Sequence, residues 1–211
     1  MAEVKRQGLL VLISGPSGVG KGTVVASFMA GRSDCVTSVS ATTRAPRAGE
    51  IDGQSYYFIS RETFQEWVSQ DRFLEWDEHF GNCYGTPRQF VEEQRAAGKH
   101  VILEIDVVGA HRVMEKDPDA VGIFVLPPSV DVLKERLVTR GTESEEQIRD
   151  RLERLDRELS FIDGYKYAII NDSLDDAVAQ INDIFSAEMS ATVRLRRDGV
   201  IAAIIAQPDG T

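Results

Sequence analysis

The stretch GPSGVGKGTV, residues 15–24, stands directly behind the apolar run LLVLIS. An unbroken apolar run of that length suits a strand covered on both faces of a sheet. The glycines after it let the backbone turn its N–H groups inward, where they form a nest for an anion. A helix expected from about 20 to 31 brings the positive end of its dipole to the same place. Lys21 then supplies a full charge. The spacing Gly15-x4-Gly20-Lys21, between strand and helix, is that of a phosphate-binding P-loop. The loop to be tested comprises Gly15, Pro16, Ser17, Gly18, Val19, Gly20, Lys21, Gly22 and Thr23. A strand–loop–helix of this kind commits the chain to an α/β sheet.

The rest of the chain keeps that rhythm. Apolar runs at 99–106, 120–126 and 166–171 read as further strands, and 61–69, 129–140, 144–161 and 173–189 read as helices. Thr86-Pro87-Arg88-Gln89 carries a helix-start signature, with threonine as cap and proline at the first helical position. Ser129 is expected to cap the helix after it, and Ser144 with Gln147 forms a second capping box. Alternation of this kind predicts a mainly parallel sheet between two helical layers, with its ligands outside the carboxyl ends of the strands. Only 38–58, rich in Pro, Gly and Thr, breaks the pattern, ending in a short strand at 55–59; extended chain follows at 73–80. The last segment, 190–211, is basic, then apolar, then polar, and is expected to be a disordered tail.

Composition narrows the function classes. A net charge of −10 argues against a general nucleic-acid or anionic-membrane binder, and no apolar stretch is long enough to span a bilayer. Residues 1–10 carry no visible secretory signal. Two cysteines, Cys35 and Cys83, make no disulfide framework or metal-ligand pattern, which points to a reducing cytoplasm. Of 24 cationic residues 18 are arginine, whose planar fork suits bidentate phosphate contacts. An acidic chain can therefore still hold a local arginine pocket, unless the bias merely reflects codon usage.

The residue after Lys21 is Gly22, where many P-loops carry the Ser or Thr that ligates Mg²⁺; Thr23 stands one place later. That GKGT ending is similar to the loop of some nucleoside-monophosphate kinases. SVSATTRAPRAGEIDGQSYYF, FLEW, GNCYGT, EIDVVGA, LPPSVDVLKERLVTRGTESEEQIRDRL and IINDSLDDA follow in an order that resembles guanylate kinases from about residue 8 to 189. The resemblance implies a P-loop core spanning 1–189, with a GMP-binding lobe at about 38–87 and a lid at about 137–159; 190–211 remains an appendage without a role. It implies transfer of the γ-phosphoryl group of ATP to GMP and dGMP, with Mg²⁺, and leaves the choice between monomer and homo-oligomer open.

The same resemblance assigns Arg44, Arg47, Tyr56 and Tyr84 to the GMP phosphate and Glu75, Ser40, Thr86 and Glu104 to guanine. The chemistry fits: a carboxylate accepts from guanine N1–H and the 2-amino group, a donor pair that adenine lacks. Asp106, ending the strand VILEID, is expected to hold Mg²⁺ through water or to orient an arginine; Val107-Val108 replaces the family's frequent Trp-Gln. Arg136, Arg140 and Arg151 are implied to neutralise charge on the triphosphate, and Thr23 is a candidate Mg²⁺ ligand, directly or through water. Arg149, Arg154 and Arg157 read as a solvated, salt-bridged helix face. Asn171 is the residue beside adenine by the resemblance, the cap of the last helix by its place before it, or both. His79, His100 and His111 receive no role, because an acceptor phosphate needs no general base. Two rival readings are a non-catalytic binding module of the same fold, which an intact Lys21 argues against, and a kinase for another acceptor, which Glu75 and the Arg44/Arg47 pair argue against.

Overall fold

A computed structural model describes residues 6–47, 49–79, 81–139 and 145–205. The first half runs β1 (Leu10–Ser14), α1 (Lys21–Met29), β2 (Cys35–Thr37), β3 (Ala41–Thr42), β4 (Tyr57–Phe58), α2 (Arg61–Ser69), β5 (Phe73–His79), β6 (Asn82–Pro87) and α3 (Arg88–Ala96). The second runs β7 (His100–Glu104), α4 (Val107–Lys116), β8 (Val121–Leu126), α5 (Val130–Thr139), α6 (Glu145–Leu159), β9 (Tyr167–Ile170), α7 (Leu174–Ser190), α8 (Thr192–Arg197) and α9 (Val200–Ile205). Five strands form the central sheet in the order β2-β7-β1-β8-β9, every pair parallel.

Why the run at 9–13 is apolar at every position is visible in its neighbours. Leu9, Val11 and Ile13 pack with Val24 and Phe28 of α1, Leu133 of α5 and Ile181 of α7. Leu10 and Leu12 point the other way, onto Val91 of α3 and Ala110 and Val113 of α4. Successive side chains leave a strand on opposite faces, so a middle layer must be apolar throughout. Truncating Leu12, fully buried, to alanine should cost about 2–5 kcal/mol through lost burial and a cavity.

The lobe at 38–87 has its own four-stranded sheet, β4-β3-β6-β5, and its own small core of Ala41, Phe64, Phe73 and Cys83. β5 and β6 are an antiparallel hairpin that pairs Glu75 with Thr86 and Asp77 with Tyr84. That pairing corrects the helix start expected at Thr86. Thr86 is a buried strand residue whose hydroxyl serves Glu75, Pro87 flanks α3, and no side chain caps that helix. Ser129 does cap α5, accepting from Val132 N–H at 3.2 Å. Ser144 lies outside the described residues, as does the side chain of Gln147.

The C-terminal expectation is also corrected. Residues 192–205 form α8 and α9 rather than a disordered tail. What holds them is a buried charge cluster. Glu188, 2% exposed, accepts from Lys166 Nζ at 2.6 Å, Tyr167 Oη at 2.8 Å and Arg194 Nε at 3.0 Å. Arg194, 4% exposed, also donates to the carbonyl of Asp119 at 2.6 Å, and Arg197 pairs with the Asp119 carboxylate. Arg194 finds Glu188 only six residues back, but Asp119, which takes its other arm, is 75 residues away and invisible to a local reading.

Candidate active site

The P-loop lies where β1 gives way to α1. Gly15 (φ 140°) and Gly20 (φ 95°) sit in backbone regions that side chains disfavour. Neither has room for one: a Cβ at Gly15 would come within 2.3 Å of the Val125 carbonyl, and one at Gly20 within 2.7 Å of Asn171 Nδ2. Lys21 folds back along the loop, donating to the carbonyls of Gly15 at 2.7 Å and Pro16 at 3.1 Å. Glu158, on the last turn of α6, accepts from Ser17 N–H at 3.3 Å.

Beside the loop opens a cleft of about 570 Å³ lined by Gly18, Gly20, Thr23, Arg136, Asn171 and Leu174, among others. Asn171 is buried and donates through Nδ2 to the Val19 carbonyl at 2.8 Å. It is not the cap of α7, the helix that follows it; Ser173 is, accepting from Asp176 N–H. Arg136 braces the same corner, donating to the carbonyls of Asn171 at 2.9 Å and Val19 at 3.3 Å. Gly22 faces a carboxylate, since a Cβ there would lie 3.4 Å from Glu104 Oε1.

A second cleft, of about 380 Å³, is lined by Ser40, Tyr56, Glu75, Asp77, Tyr84, Gly85, Glu104, Ile105 and Asp106. Glu75, 8% exposed, accepts from the Thr86 hydroxyl at 2.7 Å. Burial pushes its carboxyl above the usual range, opposed by that bond from Thr86. Gly109 passes beneath it: a Cβ there would stand 3.0 Å from Glu75 Oε2. Asp106 is the N-cap of α4, its Oδ1 accepting from Val108 and Gly109 N–H at 2.8 Å each. At the mouth of this cleft Tyr56 and Tyr84 meet edge-on at 6.1 Å. Arg44 lies 5.5 Å above the Tyr56 ring and is forked onto Glu50, at 2.8 and 3.0 Å. The Arg47 backbone N–H bonds the same carboxylate at 2.7 Å, and the Arg47 side chain is exposed.

The structure thus gathers two groups of the residues read from sequence. Gly18, Gly20, Thr23, Arg136 and Asn171 share one cleft; Ser40, Tyr56, Glu75, Tyr84, Glu104 and Asp106 share the other. Arg140 lies outside the described residues, and so does the side chain of Arg151. Arg149 is a solvated partner of Glu153 at 3.9 Å, as read. Arg154 and Arg157 are exposed as well, as read, and they also line a third cleft of about 450 Å³ with Asp77, Asp106, Arg112 and Glu158. His100 is structural, accepting from Leu9 N–H at 3.0 Å, with burial lowering its pKa; His111 stacks edge-on with Phe161 at 5.7 Å. The side chain of His79 lies outside the described residues.

Four residues escaped the sequence reading. Asp77 had a signal, because it stands two places after Glu75 on one strand and so shares its face. Glu50, Gly109 and Glu158 had none, since each matters only through a partner distant in sequence or across a loop.

Comparison with known proteins agrees with the geometry. The guanylate kinase family profile matches residues 7–188. A guanylate kinase of Synechocystis sp. is 50% identical over 182 residues, 86% of this chain and 95% of its own. One of Caldanaerobacter subterraneus is 48% identical over 185 residues, 88% and 90% of the two chains. The crystal structure of guanylate kinase from Anaplasma phagocytophilum superposes with a TM-score of 0.72 at 34% identity, covering 92% of this chain and 95% of that one. A parallel α/β sheet, an intact phosphate loop and a profile match across most of the length lead to one conclusion: the chain belongs to the guanylate kinase family, ATP-dependent kinases of a nucleoside monophosphate.

Proposed function

We propose that the P-loop cleft holds ATP and the Glu75 cleft holds GMP, so that the γ-phosphoryl group crosses between them in the family reaction ATP + GMP ⇌ ADP + GDP. The observation that carries this reading is the buried Glu75–Thr86 pair. Thr86 occupies one carboxylate oxygen, while Oε2 has no hydrogen-bond partner among the described residues and is left to accept from guanine N1–H and the 2-amino group. Ser40 and Glu104 line the same cleft and complete the base contacts. Arg44, Arg47, Tyr56 and Tyr84 hold the acceptor phosphate at its mouth. These contacts go to base and phosphate, so dGMP is an acceptor as well as GMP.

Phosphoryl transfer asks for alignment and charge stabilisation rather than covalent chemistry. The P-loop amides and Lys21 hold the donor phosphates, Asn171 sits at the adenine end, and Arg136 with Arg140 and Arg151 answers the charge that develops in transfer. The acceptor is a phosphate oxygen, already a nucleophile, so no base is required.

Mg²⁺ fits this donor set. Among the described residues no group of three or more His, Cys, Asp or Glu could cage a metal. Mg²⁺ in kinases is instead held by substrate phosphates, waters and one or two protein oxygens. Asp106 is a hard carboxylate donor for its waters, and Thr23 supplies a hydroxyl. When bound, the ion neutralises phosphate charge during transfer. Two free cysteines, both buried, suit a reducing cytoplasm, where the product enters guanine nucleotide synthesis and GMP recycling. No helix among the described residues is long and apolar enough to cross a membrane.

The test is a coupled assay of ADP release with GMP, dGMP, AMP and UMP, run on wild type and on Lys21→Met. Wild type should turn over GMP and dGMP only, and K21M should lose at least about 10²–10³ in kcat, the usual loss for one preorganised charge-stabilising group. Near-normal turnover by a folded K21M would overturn the P-loop assignment.

A further inference from the structure

The phosphate loop bonds an anion that the chain itself supplies. Glu158 Oε2 accepts from Ser17 N–H at 3.3 Å, inside the glycine nest whose N–H groups serve phosphate oxygens. Lys21 stands close enough to favour the charged form of this carboxylate. Its Nζ is meanwhile bonded to the carbonyls of Gly15 and Pro16, partners a poor substitute for phosphate. Glu158 is half-buried, and no sequence motif marks it.

We propose that Glu158 is a resident competitor for the nucleotide phosphates, which must expel its carboxylate from the Ser17 amide before the P-loop can close on them. The inference rests on the P-loop as the ATP site. Phosphate oxygens and a carboxylate cannot share one N–H, and their like charges repel at contact distance. The expelled group is not on a loose loop. It lies on α6, whose positions 151, 154 and 158 follow one another on a single helix face. Arg154, one turn before Glu158, lines the same cleft, so a carboxylate that leaves Ser17 stays within reach of a counter-charge. Glu158 is thus a positioning residue, acting through Ser17.

The groups facing Glu158 are Lys21 from α1, Arg154 on its own helix and Asp106 at the start of α4, with Arg157, Arg112 of α4 and Asp77 of β5 around the same cleft; burial raises its pKa against the Ser17 bond and Lys21. The experiment is calorimetric titration of wild type and Glu158→Gln with adenosine, ADP and ATP between pH 5 and 8. Gln keeps the shape and a weaker acceptor but removes the charge. E158Q should bind ADP and ATP at least about fivefold more tightly than wild type, with adenosine unchanged. The gap should narrow as the pH falls, because protonation does to the wild type what the substitution does. A purely structural role would leave it constant and move adenosine as well. ATP binding to E158Q that is equal to or weaker than wild type overturns the proposal alone. Failure of the wild type to bind ATP at all overturns the P-loop reading, and the proposal with it.

Discussion

Replacing Glu75 by glutamine isolates one charge in the guanine cleft. In the wild type Oε1 is committed to the Thr86 hydroxyl at 2.7 Å, leaving Oε2 for the base. The amide can adapt: its NH₂ can donate to Thr86 while its oxygen turns to guanine, since a hydroxyl accepts as well as donates. One acceptor then faces two guanine donors, and it is neutral. The loss is one charge-assisted bond, about 1.5–3 kcal/mol, or roughly 10- to 150-fold in kcat/KM for GMP. AMP offers neither donor and should hardly change, so the preference for GMP, on the order of 10⁴–10⁵ for a site built to receive donors, narrows from the GMP side. The assay is ADP release at saturating ATP with each acceptor. Burial raises the Glu75 carboxyl pKa, so wild-type kcat/KM for GMP should decline as the pH falls through it, a limb that E75Q lacks. The stability sign is opposite. A carboxyl whose folded pKa is raised contributes stability below its unfolded pKa, and that contribution is lost as the pH rises through the folded pKa. At neutral pH the buried charge therefore weakens the fold, and E75Q should melt at a higher temperature while it loses GMP. A fall in GMP kcat/KM of less than about fivefold, well below the cost of one bond to a charged group, would refute the assignment.

Two further substitutions probe the frame around the site. Gly109→Ala places a Cβ 3.0 Å from Glu75 Oε2, which must shift by a few tenths of an ångström. Steady-state kinetics should show kcat/KM for GMP down by up to about tenfold, since small misplacements are costly in catalysis, with KM for ATP unchanged. Glu188→Gln leaves Arg194, 4% exposed, without its counter-charge, and urea unfolding should show a loss on the order of 3–5 kcal/mol. Burial pushes the Glu188 carboxyl upward, but the bonds from Lys166, Tyr167 and Arg194 outweigh it and hold the pKa below the usual range. Its contribution to stability is therefore present above the unfolded pKa and lost as the pH falls through the folded one, a slope that E188Q should lack.

What could be read in the sequence was what is local in the sequence. The run 9–13 announces a doubly covered strand because alternation is missing from it, and Gly15-x4-Gly20-Lys21 announces the loop because its spacing is intrinsic to one turn of backbone. Thr86 was misread for the same reason: Thr-Pro followed by a polar residue satisfies the local rules of a helix start. Only the hairpin across Gly81, pairing Thr86 with Glu75, reassigns its hydroxyl. Asn171 was undecided until Val19, 152 residues earlier, appeared as its partner. Burial of Arg194 was likewise beyond reach, because one of its two partners, Asp119, lies 75 residues earlier.

The arginines divide along the same line. Arg32 with Asp34, Arg88 with Asp71, Arg95 with Asp117 and Arg194 with Glu188 are ties within the fold. Arg44 and Arg136 are of another kind, since each stands at a cleft that gathers residues expected to meet phosphate. Arg44 is still not left uncompensated: Glu50 holds both arms of its fork, raising its pKa and lowering that of Glu50. A carboxylate from six residues along the chain fixes the direction of the Arg44 fork. In the proposed function the acceptor phosphate displaces Glu50, since it brings nearly two charges and three acceptor oxygens against one charge and two oxygens. A net charge of −10 is thus compatible with binding phosphate, provided that the chain's own carboxylates are weaker ligands for its donors than the nucleotides are.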